Sequence, residues 1–140
     1  MMPPYITRVL IVEDNPVDVT LLTHALKSVK GWALETVIAR DGEEAIDFLL
    51  HPEREKPDFV ILDMNLPKRD GIDVLRVLHI ADHLYGLPVV VFSSSPPDVV
   101  ENKIKKANLR ATPCLTKPIG LDTFLAIGPT LRQVYETARN

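Results

Sequence analysis

Short runs of β-branched and other apolar residues alternate along this chain with longer stretches in which apolar residues recur every three or four positions. The runs cover 8–12, 34–39, 59–62, 89–92 and 113–115, and the periodic stretches cover 17–29, 42–50, 72–81, 98–108 and 121–138. Five strands alternating with five helices predict an α/β fold built on a doubly wound, five-stranded parallel sheet. The first run (from Val9), the third and the fourth are apolar throughout, as expected of strands covered on both faces.

The helices carry start and stop signals. Asn15-Pro16 offers an N-cap followed by proline at the first helical position, and Val17, Leu21, Ala25, Leu26 and Val29 form one apolar stripe. Asp41-Gly42-Glu43-Glu44 opens the second helix with acids that suit its dipole. The fourth opens at Pro97-Asp98 and turns Val100, Ile104 and Ala107 inward; the fifth uses Leu121, Phe124, Leu131 and Val134. Gly31 and residues 67–71 mark turns, with Trp32 expected to pack locally beside the first. Gly128-Pro129 interrupts the last stretch, and a kink or break is expected there, because proline removes a hydrogen bond and clashes one turn back.

With 140 residues, no repeat and no low-complexity run, the expectation is a single domain over 1–140 (core about 6–138) with no fused output module. A net charge of −3 gives no global reason to expect nucleic acid or an anionic membrane as partner. No apolar run is long enough for a signal peptide or a span, and the one cysteine, Cys114, excludes an intrachain disulfide. A cytoplasmic home is expected, with Cys114 a buried, inert thiol.

The candidate chemistry stands at the strand ends. In a parallel sheet with right-handed crossovers all strand C-termini share one edge, and ligands bind outside it where the strand order reverses. Glu13 and Asp14 follow the first strand, Asp63 the third, Ser93-Ser94-Ser95 the fourth and Lys117 the fifth. Order 2-1-3-4-5 makes the first and third strands neighbours at that switch point. Two carboxylates about 4 Å apart repel by roughly 4 kcal/mol at an effective dielectric near 20, so three need a cation among them. An all-oxygen site with few protein ligands suits Mg²⁺. A metal so held can polarise a phosphoryl donor, and a carboxylate can act as nucleophile; central Asp63 is the candidate, with Lys117 and Ser93 contacting the same group.

At these residues the chain closely resembles the CheY-like receiver domains of two-component response regulators, from about Arg8 to Tyr135. The resemblance rests on Val-Glu-Asp-Asn at 12–15, Asp63-Met-Asn-Leu-Pro67 with Gly71 eight after the aspartate, Ser93 five after Pro88, and Lys117-Pro118. It implies a flavodoxin-like fold and a bacterial signalling switch, not an enzyme, that accepts a phosphoryl group on Asp63 from a sensor histidine kinase and slowly loses it. Asp14, Asp63 and the carbonyl of Asn65 would ligate Mg²⁺ directly and Glu13 through water; Ser93 and Lys117 would complete the site. A cis Lys117-Pro118 bond is also implied. Output would pass through the face of the fourth helix, fifth strand and fifth helix, to a partner or in a homodimer. The alternative is an intermediate phosphate shuttle or sink in a phosphorelay that meets a phosphotransfer protein. The Glu-Asp-Asn-Pro-x-Asp start with its Leu-Leu pair is similar to single-domain regulators of bacterial phytochromes, which makes a phytochrome a candidate kinase.

Two departures from the family pattern bear on the switch. Cys114 stands where the family has an aromatic ring three residues before the lysine, so coupling by ring rotation is not expected. Ser94 follows the switch hydroxyl in place of Ala or Gly and is expected to impede water and slow loss of the phosphoryl group. The remaining polar residues read blandly. Asp18, Asp70 and Asp73 are expected to be helix-end and surface charges, and the four histidines have no metal-ligand spacing. Lys103, Lys105, Lys106 and Arg110 are expected to form a solvated face, with a contact surface as the alternative. Flavin binding is opposed by acids where a phosphate loop is needed. A dehalogenase-type hydrolase is opposed by Asn65 where a second aspartate is needed, and a nuclease with paired acids fails for the same reason.

Overall fold

The computed structural model describes residues 5–51 and 53–139. Five strands, β1 (Thr7–Val12), β2 (Leu34–Ala39), β3 (Phe59–Leu62), β4 (Val89–Ser93) and β5 (Cys114–Thr116), form one sheet of order β2-β1-β3-β4-β5. All four pairings are parallel, as the alternation of strands and helices requires. The helices are α1 (Pro16–Lys27), α2 (Gly42–Leu50), α3 (Gly71–Ile80), α4 (Pro97–Lys106), α5 (Leu121–Leu125) and α6 (Gly128–Arg139), with a 3₁₀ turn at Asp82–Leu84 that the periodicity does not reveal.

Alternation along the strands sends neighbouring side chains to opposite faces. Leu10, Val12, Val60, Leu62 and Val91 pack with Ala45 and Leu49 of α2, Val74, Leu75 and Leu78 of α3, and Val100 and Ile104 of α4. Val9, Ile11, Phe59, Ile61, Val90 and Phe92 pack with Leu22 and Leu26 of α1, Phe124 of α5, and Leu131 and Tyr135 of α6. Each large side chain removed from water in these layers stabilises the fold by about 1.5–3 kcal/mol. The central strands therefore cannot slide without exposing a whole face.

Three packing expectations need correction. In α1, Val17 is exposed and Leu22 is buried, because the inward face is centred on Leu22, Ala25 and Leu26. Leu121 is likewise exposed, and Tyr135 joins Phe124 and Leu131 inside. Trp32 does not pack locally. Its ring stacks on Tyr135 with centroids 6.0 Å apart, and its indole N–H donates to Thr7 Oγ1 at 3.2 Å. Both partners are brought by the fold, and the polar indole edge is satisfied as a half-buried tryptophan requires. The expected interruption at Gly128-Pro129 is a full break between α5 and α6.

Candidate functional site

The strand register builds the site. Val12 of β1 faces Leu62 of β3, and Leu62 faces Val91 of β4. The residues one step on, Glu13 and Asp63, therefore stand side by side, with the Asp63 N–H donating to the Val12 carbonyl at 3.0 Å. On the far side Ser93 faces Thr116, and Lys117 follows. Glu13, Asp14 and Asp63 each present a carboxylate oxygen, and these oxygens lie within 4.8 Å of one another. Glu13 and Asp63 are buried; Asp14 is exposed at the rim.

The loop from β3 into α3 is held by close backbone packing. The N–H groups of Gly42 and Glu43, at the start of α2, donate to the carbonyls of Pro67 and Lys68 at 3.3 and 3.1 Å. Lys68 and Arg69 adopt left-handed φ of 44° and 62° to offer these carbonyls. A Cβ on Gly42 would fall 1.4 Å from the Arg69 carbonyl oxygen, and one on Gly71 would fall 2.6 Å from Met64 Cα, so both positions need glycine. Within this loop the Asn65 N–H donates to Asp63 Oδ1 at 3.2 Å and orients that carboxylate.

Lys117 lies across the acids with its side chain only 9% exposed. Its Nζ donates to Glu13 Oε1, to Asp18 Oδ2 at 3.0 Å and to Asp63 Oδ2 at 3.3 Å. Burial pushes the Glu13 carboxyl up to about 7; the bond from Lys117 pulls it down, and the Asp63 charge adds to the rise. Burial alone would favour a neutral Lys117, but the bonds to Glu13 and Asp18 and the charge of Asp63 outweigh it and hold the ammonium protonated. Three carboxylates thus bond one ammonium and Asp14 lies beside two of them, and the excess negative charge fits a hard divalent cation with oxygen ligands.

Asp18 belongs to this group, contrary to its reading as a surface charge. Asn15 caps α1 by accepting from the N–H groups of Val17 and Asp18, and this sets the first turn of the helix against the sheet edge. The Glu-Asp-Asn-Pro-x-Asp spacing carried that signal, since a cap at 15 puts residue 18 in the same turn. Asp70 does cap α3, accepting from Ile72 and Asp73, and Asp73 pairs with Arg69 at the surface.

Ser93 is buried, and its hydroxyl oxygen accepts from the Ser95 N–H at 3.2 Å. This leaves its proton for another acceptor. Ser94 beside it is exposed. Cys114 is half-buried rather than fully so. Its thiol donates to the Thr112 carbonyl at 3.2 Å, and burial pushes its pKa up, which suits an unreactive thiol. Among the described residues no peptide bond is cis, so the expected cis bond at Lys117-Pro118 is corrected to trans, the form X–Pro bonds intrinsically prefer. No helix among the described residues is long and apolar enough to cross a membrane.

The model of the response regulator receiver domain matches residues 9–127. The chain is 35% identical over 114 residues to the probable transcriptional regulatory protein TcrX of Mycobacterium tuberculosis, a match that takes in 81% of this chain and 44% of TcrX. The chain thus spans less than half the length of that relative. Among solved structures it is similar to the phosphorylated cyanobacterial phytochrome response regulator RcpA (28% identity, 97% of this chain and 98% of that one, TM-score 0.82). It is also similar to the bacteriophytochrome response regulator AtBRR (34% identity, 92% and 94%, TM-score 0.70). The strand order, the acidic edge and the family match agree, and the chain belongs to the response regulator receiver-domain family of two-component phosphoacceptor signalling.

Proposed function

We propose that Asp63 is the phosphoacceptor of this receiver domain. The observation that carries this reading is the Asp63 carboxylate itself. It is buried at the edge of the central strand, within 4.8 Å of the Glu13 and Asp14 oxygens and 3.3 Å from the Lys117 ammonium. A carboxylate oxygen of Asp63 attacks the phosphorus of a phosphohistidine, the P–N bond breaks, and the imidazole leaves with the electron pair. Asp14, Asp63 and the Asn65 carbonyl would hold Mg²⁺, with Glu13 acting through water. When bound, the ion offsets the charge of the carboxylates and of the transferring group. Lys117 donates to the phosphoryl oxygens, and Ser93 turns its hydroxyl proton toward them.

Phosphorylation adds a charge near −2 to this edge. The Lys117 N–H donates to the Ser93 carbonyl at 2.8 Å, so a pull on the lysine is felt at the end of β4 and the start of α4. The face of α4, β5 and the α5–α6 pair is the output surface in this reading, either in a homodimer or toward a separate target. The donor is a sensor histidine kinase or a phosphotransfer protein. The likeness to RcpA and AtBRR supports a phytochrome kinase, and a cytoplasmic setting follows from such a donor.

The test is acetyl phosphate with Mg²⁺, followed by peptide mass spectrometry. Native protein gains one phosphoryl group on Asp63, Asp63→Asn gains none, and omission of Mg²⁺ prevents the reaction. Modification at another residue in the native chain would overturn the assignment. Size-exclusion chromatography with beryllofluoride then reads the dimer.

A further inference from the structure

Lys117 Nζ has three oxygen partners, and they are not equivalent. Glu13 and Asp63 belong to the carboxylate group able to hold a cation, whereas Asp18, on α1, does not. Asp18 lines the cleft beside Lys117 with Pro118 and Leu121 and bonds the ammonium at 3.0 Å, closer than Asp63 does. An ammonium is a compact charge that three carboxylates can share.

We propose that Asp18 is a positioning residue that controls how much of the Lys117 charge reaches the phosphoacceptor. The proposal rests on the reading of Asp63 given above. Once a cation takes up the lone pairs of Glu13, Asp14 and Asp63, Asp18 is the carboxylate that still holds the lysine. It offsets the repulsion between the ammonium and the cation, so it favours metal binding. When Asp63 carries a phosphoryl group, the same carboxylate competes for the ammonium and repels the new anion, so it opposes the phosphorylated state. One residue thereby acts with opposite sign on the two ligands of the site. A merely structural role would move both in the same direction.

The experiment titrates the protein with Mg²⁺ alone, followed by calorimetry. A second titration uses beryllofluoride at saturating Mg²⁺. The Asp18→Asn variant is expected to bind Mg²⁺ roughly tenfold more weakly and beryllofluoride roughly tenfold more tightly, the scale of one partly screened charge a few ångströms away. Asp18→Glu, which keeps the charge, stays nearer the native values in both titrations, and Asp73→Asn, which removes a charge elsewhere on the surface, changes neither. Unchanged affinities in Asp18→Asn, or a loss of both together, would overturn the proposal. Native protein that takes up no beryllofluoride with Mg²⁺ would overturn the phosphoacceptor reading and this proposal with it, a failure distinct from one confined to the variant.

Discussion

The backbone N–H of Lys117 donates to the carbonyl of Ser93 at 2.8 Å, which joins the buried ammonium of the acidic site to the end of β4. Ser93 opens the loop into α4, so the two residues form a covalent and hydrogen-bonded route from the acids to that helix. The lysine is at once the counter-charge of the site and its mechanical link to the rest of the sheet.

The first role predicts a metal-dependent stability defect. Lys117→Met leaves Glu13 and Asp63 buried without their cation. Breaking such a pair costs about 3–5 kcal/mol. Urea unfolding without Mg²⁺ at pH 8 should show a loss of about 3 kcal/mol, and saturating Mg²⁺ should recover most of it. An equal loss with and without Mg²⁺ would argue that lost packing, not lost charge, is the cause.

Glu13 predicts the pH dependence. Its carboxyl is raised from 4.5 to about 7, first by burial, so between those values the metal-free fold holds a proton that the unfolded chain releases. Stability from this group is therefore fully present below about 4.5 and declines as the pH rises toward 7. Mg²⁺ competes with the same proton, so its affinity weakens as the pH falls below about 7. Calorimetry in two buffers of different ionisation enthalpy should find proton release on Mg²⁺ binding at pH 6.5 and none at pH 8.5.

Ser94 predicts the lifetime of the phosphorylated state. It is exposed beside the buried Ser93 and lines the same cleft as Asp18 and Lys117. Ser94→Ala should shorten the lifetime by roughly threefold, a barrier change of about 0.7 kcal/mol. Loss of label from phosphorylated protein in Mg²⁺ buffer measures it, and an unchanged rate would remove Ser94 from the account.

The phase of α1 predicts a contrast between two aliphatic residues. Leu22 is buried in the layer with Leu26, Phe59 and Phe92, whereas Val17 is 64% exposed. Leu22→Ala should cost about 2–5 kcal/mol in urea unfolding, and Val17→Ala should stay within about 0.5 kcal/mol of native. Comparable losses would mean that the inward face is the stripe through Val17 after all.

The acids at the ends of β1 and β3 were legible because a strand end is a local feature. An apolar run followed by a carboxylate marks it, and the parallel topology then brings every such end to one edge. The helix caps at Asn15, Asp41 and Asp70 and the break before Gly128 were readable for a similar reason: each is decided by residues within one turn of itself. For Asp18 the cap at Asn15 fixed only its place in the first turn of α1; its bond to Lys117 was not legible, since an acid in a first helical turn has an ordinary role with the helix dipole.

The sequence by itself therefore determined the alternation of strands and helices and the placing of Glu13, Asp14 and Asp63 directly after strands of a parallel sheet; the order 2-1-3-4-5 came with the receiver-domain resemblance, and the fold bears it out. The tertiary structure alone decided that Lys117 divides its protons among Glu13, Asp18 and Asp63, that Trp32 stacks on Tyr135, and that Leu22 rather than Val17 faces the sheet. The physical reason is range. Periodicity and capping act over one turn, whereas these contacts join residues from 54 to 104 positions apart or turn on the rotation of a helix by a fraction of a turn, which packing against the whole sheet sets.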